Sequence, residues 1–323
     1  MRPCSIISRG LRPIHLRTRC LSLPENLNIG GQAVLEGVMM RSPHAFTVAV
    51  RKGGKPAADI AVLKEKIIPI GERFPLLKKK IIRGSVALFE ALWLGMRALN
   101  FSANEALERE DGKKEEIGVW TMAATMAAAL AFSLGLFLAL PLLITNLLSS
   151  YYGQVGKNSV LFNLTDGVLR MTIFLGYVSG ISVMKDIRRV FEYHGAEHKT
   201  IAAHEAGVPL TVENARPYSR IHPRCGTSFL IAVIALSILV FSLIPGSWPL
   251  WAKGLSRLLL LPLIAGLGYE FIKYSAKNCG NPLVKALMKP GLWLQQLTTR
   301  EPSDDQIEVA IRSLEEALAM EPR

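Results

Sequence analysis

The sequence predicts a mainly α-helical polytopic membrane protein of about four spans, with a small antiparallel β-containing cytoplasmic region near its N-terminal end. Three observations carry this: long stretches without a charged side chain, strand-like alternation confined to residues 29–69, and an uneven distribution of Lys and Arg. Half of the 323 residues are hydrophobic and they are clumped, so a single soluble core would be an unusual home for them. No charged side chain occurs between Ile117 and Gly156 or between Gly226 and Ala252. A hydrocarbon core needs only about 20 apolar residues.

Taken in order, residues 1–28 form a basic extension with five arginines before the first acid, Glu25, and with serines interspersed. That is the composition of an organelle transit peptide, and an upstream start site or a basic tail fits it equally well. No secretory apolar core is present, Cys20–Leu23 being too short. Residues 29–116 follow as a cytoplasmic region. Within it Gln32–Arg41, Ala45–Arg51 and Ile60–Lys66 alternate like strands, separated by Ser42-Pro43 and Gly53-Gly54, which predicts a small antiparallel sheet. After the basic run Lys78-Lys79-Lys80, Val86, Phe89, Leu92, Trp93 and Met96 recur at helical spacing, predicting a helix over Ile81–Leu107 that lies on the membrane surface or packs on the sheet. Glu108–Glu116 reads as a solvated lead into the first span.

The membrane domain occupies residues 117–275. Its first span opens near Trp120, an interfacial aromatic, and runs to Leu148. The second covers Leu161–Met184 and contains Asp166 and Arg170, one turn apart and able to neutralise each other. The third is Ser228–Ile244. The fourth, Leu258–Tyr269, is short unless Arg257 and Lys273 snorkel and Glu270 is shielded, and a re-entrant segment is its rival. Glu270 either pairs with Lys273 or faces the loop cluster described below.

Positive charge sets the orientation. The 185–227 loop holds seven Lys and Arg residues, 20 precede the first span, and Lys273, Lys277, Lys285 and Lys289 follow the last, whereas the two intervening loops hold three between them. A cell-membrane, multi-pass protein with both termini and the central loop in the cytoplasm follows. Residues 276–323 form a soluble tail in which Ser303 and Gln306 make a capping box and Ile307, Ile311, Leu314 and Leu318 form one stripe, so the tail should dock on the cytoplasmic domain. The formal charge of +12 is not interleaved with aromatics as a nucleic-acid groove would require. It clusters beside apolar segments, so the expected partner is the lipid bilayer and its anionic headgroups, with no nucleic acid. Cys4, Cys20, Cys225 and Cys279 form no disulfide framework, which favours a reducing compartment. Nothing in the sequence sets an oligomeric state.

Chemistry concentrates in the 185–227 loop. His194-Gly-Ala-Glu197-His198 fits H-x-x-E-H, in which two histidines ligate a metal and the glutamate acts as base. On a helix His194 and His198 lie one turn apart on one side. Glu205 lies about 10 Å further along and drops out as a shared ligand, so it and His204 read as solvated. His222 and Cys225 in "HPRCG" are the better third and fourth ligands, because Pro223 breaks helical geometry and lets both side chains aim at one point. Nitrogen and thiolate donors together favour Zn(II), with Fe(II) the alternative. Lys199, Arg220 and Arg224 surround the cluster and could hold an anionic lipid or a phosphate-bearing substrate, although positive-inside charge explains them as well. Membrane-flanking histidines also serve as interfacial hydrogen-bonding groups, and a lone Cys225 is often just a small buried hydrophobe.

The segments "GGQAVLEGVMMRSP" (Gly30–Pro43), "IIRGSVALFEAL" (Ile81–Leu92), "YHGAEHKTI" (Tyr193–Ile201), "HPRCGTSF" (His222–Phe229) and "PGLWLQQLTTREPSDDQIEVAI" (Pro290–Ile311) resemble the YqhQ-like family of bacterial membrane proteins. The resemblance spans Ile29–Ile311 and leaves out the first 28 residues. It implies a metal-dependent membrane protein without an established activity, and it draws attention to Gln32, Glu36 and Arg41. Glu36 and Arg41 would either line a site or form a structural ion pair.

The expectation is therefore a metal-dependent, hydrolase-like enzyme at the cytoplasmic membrane face. His194 and His198 hold a divalent metal, His222 or Cys225 completes the set, and Glu197 orients or deprotonates water. The rival is a non-enzymatic accessory protein with a structural metal site or a polar clasp. An open coordination position separates the two.

Overall fold

Val38, Met40 and Ala49 alternate with Met39, Val48 and Val50 along neighbouring strands, and both sets are buried. A sheet with two apolar faces needs a cover on each. The computed structural model, which describes residues 29–54, 59–106, 118–278 and 281–321, supplies both covers. The expected basic extension and the solvated 108–116 lead lie outside the described residues.

The sheet is an antiparallel meander of β1 (Gly30–Val34), β2 (Gly37–Arg41), β3 (Ala45–Arg51) and β4 (Ile60–Lys66), in that order. The expected strand Gln32–Arg41 is in fact a hairpin, turning at Leu35-Glu36 so that Gly31 faces Met40 and Val34 faces Gly37. Glu36 sits at φ 52°, an uncommon backbone for a non-glycine residue. Its surroundings hold it there: its carbonyl accepts from the Arg51 N–H at 2.8 Å, and its carboxylate accepts from both the Arg189 guanidinium and the Tyr193 hydroxyl. Glu36 thus pairs with Arg189, and Arg41 pairs with Glu90 at 2.7 Å, so the Glu36–Arg41 pair does not form.

One sheet face packs on α1 (Ile82–Ala106), through Leu94 and Ala98 against Phe46, Val48 and Val50. The expected packing on the sheet is present: Leu94 and Ala98 meet it and Gly95 lies against Gln32, while Gly84 approaches Tyr269 and Gly266 farther along the chain and Phe89, Leu92 and Trp93 stay exposed. Small residues permit close approach to a sheet face already filled by Phe46 and Val48.

The apolar helices come next. α2 (Val119–Leu134) runs through a π-helical turn, Gly135–Ala139, into α3 (Leu140–Tyr151). The turn precedes Pro141, which lacks the N–H an α-helix would use. α4 (Ser159–Ile181) is capped by the Asn158 side chain and ends at a 98° bend before α5 (Lys185–Glu205). The remaining helices longer than two turns among the described residues are α6 (Thr227–Phe241), α7 (Leu250–Lys277), α8 (Pro282–Thr298) and α9 (Asp304–Met320).

Among the described residues two helical stretches, Ala123–Tyr151 and Leu250–Ser275, are long and apolar enough to cross a membrane, and the bent α4–α5 pair adds a third if it counts as one span. By length and composition, two or three of the about four expected spans are therefore present. α6 has 15 residues and spans about 22 Å, less than the roughly 30 Å of a hydrocarbon core. The segment expected to be weakest became the 28-residue α7, because its charges have distant partners. Arg257 donates to Asp166 at 2.6 Å and Asn163 at 2.8 Å, and Glu270 accepts from Arg83 at 2.6 and 2.5 Å instead of taking Lys273 or reaching the histidines. The Asp166–Arg170 pair forms as expected, at 2.7 Å.

The other sheet face is covered by α5 and α9, where Val38, Met40 and Ala49 meet Tyr193, Ala196, Ile307, Ile311 and Leu314. The capping box at Ser303 and Gln306 is present and the α9 stripe is buried as read. α5 is thereby held between the sheet edge and the tail, with its histidines turned toward the loop that leads into α6.

Candidate metal centre

On one straight helix, positions 194, 197 and 198 share a side. That side of α5 faces the segment 220–227 and the end of α8. The 98° bend after α4 brings it there, and α5 is itself the helix on which His194 and His198 lie one turn apart. Gly195, on the opposite side, lies under the backbone of Arg300, where a Cβ would stand 2.1 Å from the carbonyl oxygen.

Each histidine is fixed through its Nδ1. The His194 Nδ1–H donates to the Thr298 carbonyl at 2.8 Å, and the His198 Nδ1–H donates to the Arg220 carbonyl at 2.6 Å. A carbonyl only accepts, so both rings are held in the tautomer whose Nε2 carries a lone pair. The His194 Nε2 lies 3.3 Å from the Cys225 Sγ, and the His198 Nε2 is buried with no hydrogen-bond partner. The ligating atoms of His194, His198 and Cys225 all lie within 4.8 Å of one another.

Cys225 enters through the turn that Pro223 creates and stands just ahead of α6. The Thr227 N–H donates to its Sγ at 3.3 Å. The Sγ also lies 3.2 Å from the Thr227 hydroxyl, so Thr227 fixes the position of the thiol through two contacts. Burial lowers the basicity of His198, opposed by Cys225, so its ring is kept neutral and able to ligate.

Glu197 lies between the rings, its Oε2 3.5 Å from the His198 Nε2 and 4.0 Å from that of His194. Its side chain is 6% exposed and that of His198 2%, while His194 at 16% forms the more open edge. Burial pushes the Glu197 carboxyl above its ordinary range, with His194, His222 and the Gly31 N–H pulling the other way.

The structure sets His222 apart from the trio. Its backbone is clasped by Gln295, which accepts from its N–H and donates to its carbonyl, both at 2.9 Å. Its Nδ1 accepts weakly from the Arg224 N–H at 3.4 Å, and its Nε2 faces the Glu205 carboxylate at 3.3 Å. Its ring lies 5.8 Å from that of His198, and it is not one of the three residues whose donor atoms fall within 4.8 Å of one another. Of the two residues expected to complete the set, Cys225 is the one grouped with His194 and His198, and Glu205, expected to be solvated, is half-buried between His222 and Arg224. The cations around the cluster are engaged within the protein: Lys199 with the Arg216 carbonyl and Glu301, Arg220 with Thr299, and Arg224 with Glu205.

Sequence reasoning missed Gly31. A Cβ there would stand 2.7 Å from the Glu197 Cγ and 2.8 Å from the Met39 carbonyl, so only glycine lets β1 close over the carboxyl. The signal was the Gly30-Gly31 pair opening a strand. Gln32, one residue on, points its amide at Gly95 of α1 and not at the histidines.

Residues 80–320, which contain the whole cluster except β1, match a family described as "Protein of unknown function (DUF1385)". The chain is 35% identical over 303 residues to the "Uncharacterized protein YqhQ" of Bacillus subtilis (strain 168), an alignment covering 90% of this chain and 92% of that one. No solved structure matches. On both grounds the chain belongs to the DUF1385 family of YqhQ-like proteins, as its motifs imply.

Proposed function

We propose that the chain is an integral membrane protein whose His194, His198 and Cys225 hold one divalent metal at the cytoplasmic face, and that it performs a hydrolase-like reaction there. One observation carries the reading: two imidazoles, each locked by an Nδ1–H···O=C bond, turn unprotonated Nε2 atoms toward one buried thiol. The N₂S donor type favours Zn(II), with Fe(II) the alternative. The residues fit such an ion, since the His198 Nε2 is otherwise an orphaned buried acceptor.

A divalent metal supplies Lewis acidity that makes water acidic near neutral pH. The chain does the rest. Thr298 and Arg220 orient the two rings, Thr227 positions the Cys225 sulfur, and Glu197 accepts the proton of the attacking water at its carboxylate. The Gly31 N–H and the cover of β1 keep that carboxylate in place and limit solvent. The count of Lys and Arg supports a cytoplasmic location for both termini, which requires α4 and the short α6 to cross beside the long helices. The substrate class is one reached from the bilayer surface, an anionic lipid or another phosphate-bearing molecule, which Lys199, Arg220 and Arg224 would meet only by exchanging their present partners.

The second reading is a non-enzymatic accessory protein with a closed structural site, Glu197 serving as fourth ligand. The near-complete burial of Glu197 and His198 favours it. Cobalt substitution separates the two. The enzymatic reading expects the visible spectrum of the Co(II) protein to shift when thiocyanate is added, because one position is open. A tetrahedral spectrum indifferent to thiocyanate assigns the site to structure.

A further inference from the structure

A second cluster of buried charge lies at the other end of the apolar helices. Asp166 and Arg170 stand in the first half of α4, Arg257 and Lys253 in the first two turns of α7, and Ser237 and Phe241 at the end of α6. α4 leads toward the histidines and α6 leads away from them, so these residues lie about 20 Å or more along the helices from the metal centre.

The charges do not balance. Arg257 is 1% exposed, Lys253 5% and Arg170 6%, and among the described residues Asp166 alone faces them with a carboxylate. Asp166 accepts from both arginines. Asn163 and Ser237 take one further guanidinium donor each. That leaves two positive charges without a countercharge in a low-dielectric setting, which is costly. The Nε atoms of Arg170 and Arg257 are buried without a hydrogen-bond partner, and the Lys253 Nζ rests over the Phe162 ring at 4.1 Å with no hydrogen bond. Each is a spare donor for an oxyanion.

An apolar groove lies on a neighbouring face of α7, none of the three cations lining it. It has a volume of about 490 Å³ and lies between α7 and the π-helical turn, walled by Leu134, Leu138, Leu142, Gly254, Leu255 and Leu258. Gly254 and Leu258 are the immediate chain neighbours of Lys253 and Arg257, so groove and cations share one depth. Trp248 and Trp251, both exposed, mark that depth as just inside the headgroup layer.

We infer that cluster and groove together bind an anionic phospholipid of the leaflet facing away from the metal centre, its phosphate between Lys253 and Arg257 and one acyl chain in the groove. The lipid phosphate supplies the missing negative charge. The lysine, long and free of hydrogen bonds, swings from the Phe162 ring toward the headgroup.

Native mass spectrometry of the full chain in detergent, with phosphatidylglycerol or phosphatidylcholine added, tests this. The wild type should retain phosphatidylglycerol preferentially, and Lys253→Gln should weaken that retention about fivefold. Gly254→Leu fills the groove without altering a charge, and nothing lies closer than 3.9 Å to its Cβ, so it should fold and also lose the lipid. Equal retention of both lipids overturns the inference, as does wild-type retention by either variant. Displacement of the lipid by inorganic phosphate at equal concentration overturns it in favour of a free-phosphate site.

Discussion

The Nε2 of His198, buried and unpartnered, is the atom on which the functional reading turns. His198→Ala should remove metal while leaving its neighbour Glu197 buried without its intended charge. Glu197→Gln discriminates more finely: in the hydrolase-like reading metal content measured after dialysis stays near wild type, whereas loss of metal in this variant makes Glu197 a ligand. Gly31→Ala should destabilise by about 1–3 kcal/mol, because its methyl meets both the Glu197 side chain and the Met39 carbonyl. Denaturant titration reads this, and an unchanged midpoint would mean that β1 does not press on Glu197. At this scale the sequence was legible where side-chain type carries the chemistry, as at His194, Glu197, His198 and Cys225. It was opaque where the backbone does the work. The carbonyls of Thr298 and Arg220 and the closeness of Gly31 leave no residue-type signature, and nothing local in the sequence reveals that the His222 ring faces Glu205.

α9 shows how an element can be read almost completely in advance. Its capping box and its stripe are both local in sequence, and the stripe meets a sheet whose own alternation was visible. Leu314, fully buried there, should cost about 2–5 kcal/mol when changed to Ala, observable as a lower unfolding midpoint. A cost below 1 kcal/mol would mean that α9 is not docked on the sheet. α1 and α7 were harder. α1 was read as lying on the membrane surface or packing on the sheet, and its spacing could not tell that Leu94 and Ala98 would meet the sheet while Phe89, Leu92 and Trp93 stayed exposed. α7 was read as short because Arg257 and Glu270 looked like boundaries, and their partners Asp166 and Arg83 lie far away in the chain. Periodicity reports what a helix could bury and says nothing of which neighbour arrives to bury it.

The molecule as a whole joins a sheet-and-helix region to a set of apolar helices, with charge clusters at both ends of the latter. The proposed orientation has a direct consequence. A reporter fused after Gly246 should be outside the cytoplasm and one fused after Pro302 inside, measured by paired phosphatase and fluorescence activities. Both fusions on the same side would remove α7 as a crossing. Charge distribution made this topology arguable from sequence alone, whereas hydropathy does not register that α6 is only 15 residues long, so length and composition support two or three spans where the charge count asks for four. The central claim is that His194, His198 and Cys225 form a metal centre, and its most direct test is elemental analysis of the purified full-length protein beside His194→Ala/His198→Ala. The account predicts close to one equivalent of zinc or iron in the wild type and essentially none in the double variant; equal, near-zero metal in both would contradict it.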